Sequence, residues 1–67
     1  MKKYDNTTIY TMDELVDLLG GDKYNELNRY DEFGMAVCYP DVCGLQIVFR
    51  EDRFSENALN AVRHATK

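Results

Sequence analysis

Two cysteines, one histidine and twelve carboxylates are the side chains of this 67-residue chain suited to ligating a metal, attacking a carbonyl or moving a proton. Cys38 and Cys43 flank Tyr39-Pro40-Asp41-Val42, and a Pro-Asp pair between two apolar runs is turn chemistry. If those runs pair as a hairpin with the four residues as its loop, the sulfurs lie opposite one another. A disulfide closing so short a loop stabilises only modestly. The other reading is two half-buried thiols in a reducing cytoplasm. Zinc is poorly served, because the spacing is wider than a knuckle's and His64 is the sole imidazole.

Catalysis is poorly served as well. A cysteine nucleophile needs an oriented base beside it, and His64 falls on the flank of the last helical segment. Gly20-Gly21 lacks the companion glycines and lysine of a phosphate-cradling loop. The carboxylates lie in polar stretches, where acid–base pairs with separated pKa values are not expected. The sequence predicts a protein that is not an enzyme, with no cofactor and no metal site.

What the carboxylates do offer is charge. Twelve Asp and Glu against eight Lys and Arg give a net −4 and a pI of about 4.7. Residues 5–32 hold Asp5, Asp13, Glu14, Asp17, Asp22, Glu26, Asp31 and Glu32 against Lys23 and Arg29, a net −6. Residues 33–67 are balanced, with Arg50, Arg53, Arg63 and Lys67 forming a modest basic patch that Glu51, Asp52 and Glu56 dilute. Asp13 and Asp17 stand four residues apart, a like-charge spacing that costs a helix a few tenths of a kcal/mol. At ~1.5 Å rise per residue these carboxylates are ~6 Å apart along the axis, close to two ~3.4 Å steps of a duplex strand. Tyr24 and Tyr30, rigid rings with a polar tip, stand beside them as contact candidates.

These side chains must be positioned by a small fold. Hydrophobic residues make up 45% of the chain and proline occurs once, which describes a folded domain rather than a disordered tail. No apolar run approaches the ~18 residues of a membrane span. Met1-Lys2-Lys3 is followed by polar residues where a signal peptide turns apolar, so a cytoplasmic protein is expected. Residues 1–67 make one domain with a thin core, of a kind that a homodimer can complete. Residues 1–6 read as a flexible arm.

Thr11 and Glu14 form a capping box, with Tyr10 and Leu15 at the staple positions. Met12, Leu15, Val16 and Leu19 then mark one helical face, which Gly20-Gly21 ends. Asp22 is placed to cap a second helix over about Lys23–Asp31. Phe33–Tyr39 and Leu45–Phe49 alternate bulky and compact residues, as a hairpin packing its bulky side on helices would. Ser55 caps a third helix to about Ala65, with Ala58, Leu59, Val62 and Ala65 on its buried face. The expected class is α+β, in the order α-α-β-β-α with an antiparallel hairpin on the helices. The composition of Thr7–Tyr10 favours a brief leading strand.

Part of this pattern resembles the winged helix-turn-helix of the MerR and excisionase type. Tyr10-Thr11-Met12-Asp13-Glu14-Leu15 is similar to that family's Tyr-Thr-Ile-x-Glu-Leu helix start, and Gly20 falls at its inter-helix turn. Leu27, Arg29-Tyr30 and Gly34-Met35 resemble the end of its second helix and the opening of the wing, and Gly44 would begin the returning strand. The resemblance covers residues 10–49 with one extra residue between the helices. It implies a winged-helix-like fold and DNA binding through a second helix in the major groove, here presenting Lys23, Asn25, Asn28 and Arg29. Phosphate binding rests on Lys and Arg, and the acids of this helix oppose it.

The leading expectation is therefore a small protein-binding module using Asp13, Glu14, Asp17, Asp22, Tyr24, Glu26, Tyr30 and Asp31 against a basic protein surface. In its sharpest form it is an inhibitor, of the mobile-element or phage type, competing with nucleic acid for a partner's site. The alternative is a winged-helix DNA-binding regulator or excisionase-like accessory protein.

Overall fold

A computed structural model of the chain describes residues 2–66. Its sheet has four antiparallel strands in the order β1 (Lys2–Tyr4), β2 (Thr7–Thr11), β4 (Ile47–Arg50), β3 (Ala36–Cys38). The helices are α1 (Met12–Leu19), α2 (Gly21–Arg29), the single turn α3 (Pro40–Cys43) and α4 (Glu56–Ala65), with a 3₁₀ turn at Glu51–Arg53. The α+β class stands, with more sheet than the sequence pattern indicates.

The extra strand comes from the segment read as a loose arm. Lys2–Tyr4 pairs with Thr7–Ile9 through a two-residue turn whose Asp5 and Asn6 have φ of 54° and 66°. Two consecutive left-handed residues match the right-handed twist of the strands, and Asp and Asn tolerate that conformation better than other side chains. Tyr4 then stacks against Tyr39 with ring centroids 4.5 Å apart, and Asp5 reaches Arg50 at 3.3 Å.

The first helix forms as its caps dictate. The Glu14 N–H donates to Thr11 Oγ1 (3.1 Å) and the Thr11 N–H donates to Glu14 Oε1 (2.9 Å), a reciprocal box that satisfies two donors at the helix start. Gly20, at φ 86°, ends α1 and also stands at the N-cap of α2. The second helix thus begins at Gly21, and Asp22 lies in its first turn rather than capping it. It stops short of Asp31 because the Glu32 N–H bonds back to Leu27 O and the Asp31 N–H to Asn28 O. This is a Schellman ending with Asp31 in the left-handed position that glycine usually fills, at φ 54°.

The core lies between these helices and one face of the sheet. Phe33 is fully buried at its centre, 5.5 Å from Tyr24, 5.6 Å from Phe49 and 5.2 Å from Phe54, ring centroid to centroid. Tyr10, Leu15, Leu27, Ala58 and Val62 complete it. Phe33 is in a turn, however, and the predicted strand from Phe33 to Tyr39 shrinks to Ala36–Cys38. The cause is Gly34, which has φ 78° and abuts Arg53: a Cβ there would lie 2.8 Å from Arg53 O.

The connection between β3 and β4 is longer than a four-residue hairpin loop. Pro40 starts the helical turn α3, and Cys38 pairs with Ile47 rather than with Cys43. The segment folds over the second face of the sheet, where the Lys2 ammonium donates to Val42 O at 3.4 Å and Ile9 and Val48 are buried. Val48 and Phe49 are consequently both buried, from opposite faces, and the predicted bulky-in, compact-out alternation fails. Met35, Leu45 and Ile47 are exposed instead. Ala65 is exposed too, one turn beyond the point where α4 leaves the core at Val62.

Candidate protein-binding surface

Of the eight acids in residues 5–32, three are committed to the fold. Asp5 pairs with Arg50, Glu14 closes the capping box, and Glu32 accepts from Ser55 Oγ (3.0 Å) and Asn57 Nδ2 (3.1 Å) at the start of α4. Glu14 is therefore only half-exposed, and its placement beside an expected contact face has a structural cause.

The other five, Asp13, Asp17, Asp22, Glu26 and Asp31, are exposed. Among the described residues none of them forms an ion pair or side-chain hydrogen bond. Helical geometry puts Asp13 and Asp17 side by side, and likewise Asp22 and Glu26, each pair ~6 Å apart along its axis. Lys23 and Arg29 are the bases on these two helices, so the five acids, Asp31 just beyond α2 included, leave a net −3 over residues 13–31 with Glu14 set aside. The sequence total of −6 overstates the usable charge by the three committed acids.

Position decides which of the five has a structural explanation. Asp13 and Asp22 lie in the first turns of α1 and α2, where the helix dipole favours an anion. Asp17 and Glu26 are too far along their helices to gain from it. Asp31 is the costliest, lying at the negative end of α2 and in a left-handed conformation that disfavours a side chain. Beside it Tyr30 is 68% exposed, a large ring left in water.

Tyr24 does not join them. It is 6% exposed and stacks on Phe33, with its pKa raised by burial. The signal was its three-residue spacing from Leu27, which puts both on the inward stripe of α2. Lys23, Asn25, Asn28 and Arg29, the residues a DNA-reading helix would use, are all exposed, interleaved with Asp22 and Glu26. Lys23 and Glu26 also border an open groove of about 670 Å³ between α2 and α4, floored by Leu18, Leu19 and Leu27.

Of the expected basic patch, Arg53 and Arg63 are exposed and Arg50 is taken into the fold. Arg50 has a side chain only 13% exposed and is held by Asp52 (2.8 Å), Asp5 (3.3 Å) and the Tyr39 hydroxyl (2.8 Å). The hydrogen bond to Asp52 foremost raises the Arg50 pKa further and lowers that of Asp52. Lys67 lies outside the described residues.

The thiols and the imidazole are also apart in role. Cys38 and Cys43 are both free, with Cys38 Sγ 3.7 Å from Gly44 O, while His64 lines the α2–α4 groove. Among the described residues no three His, Cys, Asp or Glu side chains are grouped to hold a metal ion. No helix of the described residues is long and apolar enough to cross a membrane. Comparison with known proteins finds no matching family model, no matching curated protein and no matching solved structure.

Proposed function

We propose that this chain is a small acidic protein-binding module whose α1–α2 surface engages a basic protein. The observation that carries this is the set Asp17, Glu26 and Asp31: exposed carboxylates without partners among the described residues, at places where the fold gains nothing from them or is strained by them. Acids that a fold tolerates at a cost are best explained by what they meet outside it. Asp13 and Asp22 extend the same surface, and Tyr30 supplies an aromatic contact at its end. The ~6 Å axial spacing within each pair is near that of alternate phosphates on one strand. In its sharpest form, the module is therefore an inhibitor that occupies a groove its partner uses for nucleic acid.

The test is affinity capture from host extract with the immobilised chain, followed by a salt gradient and then by duplex DNA. The proposal expects a basic, nucleic-acid-binding protein that elutes as salt rises and is displaced by DNA. Capture of DNA alone would support the winged-helix regulator in its place. Retention of no basic protein would reject the proposal.

A further inference from the structure

The sheet has two open edges, and they are treated differently. The β1 edge carries Lys2 and Lys3, the charged residues by which proteins block strand addition. The β3 edge, Ala36-Val37-Cys38, carries neither charge nor proline. Around it Met35 is 71% exposed, Leu45 91% and Ile47 51%. Ala36 and Cys38 are exposed as well. By register Ala36 lies beside Phe49 and Cys38 beside Ile47. The helices cover Phe49 but leave Ile47 and the rest of this corner bare. Across residues 33–49 the sole carboxylate is Asp41, and there is no Lys or Arg.

We infer that the β3 edge joins two copies of this chain into a homodimer by antiparallel strand pairing. An isologous pair requires only that the strip complement itself, and a neutral apolar strip does. A basic partner, of the kind the α1–α2 surface would attract, finds no complement here. With Val37 opposite Val37 of the partner copy, Ala36 faces Cys38 in both directions, and the sheet becomes continuous over eight strands, four from each copy. These three large side chains leave the equivalent of about two whole apolar side chains in water. At roughly 60–120 Å² each this is about 120–250 Å² of apolar surface per copy. That is less than a standard interface of ~800 Å² per partner contains, so the dimer is weak and concentration-dependent. The inference is independent of what the acidic surface binds.

Sedimentation velocity on the full chain from about 5 to about 500 µM tests it, bracketing the weak affinities expected of an interface this small. A shift from monomer to dimer within that range is expected. Ile47→Lys and Leu45→Lys should each raise the dissociation constant by at least ~tenfold, with an unchanged circular dichroism melt showing that the fold is kept. Leu45 is so exposed that its replacement removes almost no packing within the monomer. A monomer at every concentration overturns the inference, even if the edge then captures a strand from another protein. A dimer unaffected by both substitutions overturns it equally.

Discussion

Replacing Gly34 by alanine asks whether the turn that seats Phe33 at the centre of the core requires glycine. The added Cβ would lie 2.8 Å from Arg53 O and 2.9 Å from Arg53 Cβ. The first of these is backbone of the 3₁₀ turn and cannot rotate aside. A left-handed φ costs a non-glycine residue ~1–2 kcal/mol, and forcing packed atoms apart costs ~1–3 kcal/mol. Restricting the unfolded chain returns ~0.4–1 kcal/mol. The net expectation is a destabilisation of about 2–4 kcal/mol, much of the stability available to a domain this small. At ~4–8 °C per kcal/mol the melting temperature should fall by at least ~8 °C. Gly21→Ala is the matched control: it has no atom within 4 Å of the new Cβ and lies in the first turn of α2. It should be neutral or slightly stabilising. Urea unfolding of both variants reads the difference in midpoint at constant slope. Equal midpoints for Gly34→Ala and the wild type would show that the turn does not require glycine.

Asp31→Gly should stabilise the domain by up to about 1 kcal/mol, because the left-handed strain relieved exceeds the added unfolded-state entropy; Asp31→Asn should gain less, and thermal melts check both. The Tyr10 hydroxyl, buried and donating to Glu51 Oε1 at 3.0 Å, has its pKa pushed up to about 12, by burial foremost. Its contribution is present below the ordinary tyrosine value near 10 and fades as pH rises towards 12. Urea midpoints should therefore decline over that window, and less so in Tyr10→Phe. Arg50→Lys should lower the melting temperature, since an ammonium cannot fork to Asp52 as the guanidinium does. Asp52, its pKa depressed by that hydrogen bond, contributes above the usual carboxylate range and loses its effect as pH falls. Melts across the acid limb should thus slope less in Arg50→Lys than in the wild type.

The sequence was legible where local chemistry decides. The Thr11–Glu14 box, the glycine after Leu19 and the Ser55 cap fix α1 and α4 without help from distant residues. It misled where tertiary pairing decides. Lys2–Tyr4 has no apolar periodicity and becomes a strand through β2 and its Asp-Asn turn. Phe33 reads as the first residue of a strand, yet the Schellman ending and the Gly34–Arg53 approach hold it in a turn at the core centre. Pro40-Asp41 does mark a reversal, but as a helical turn, which lengthens the loop so that Cys38 pairs with Ile47 and not with Cys43. The acidic surface was half legible. The sequence shows where the acids are, whereas only the structure separates Asp5, Glu14 and Glu32, which hold the fold, from the five that do not.

Whether those carboxylates form a binding surface is decided by partner capture with the triple variant Asp13→Lys, Asp17→Lys, Glu26→Lys against the wild type, with salt elution and a melt to show that both are folded. All three side chains are exposed and without partners among the described residues, so the variant should fold. The variant should lose the basic partner, and whatever binding remains should be less sensitive to salt. Equal capture with the same elution profile would show that these carboxylates do not make the contact.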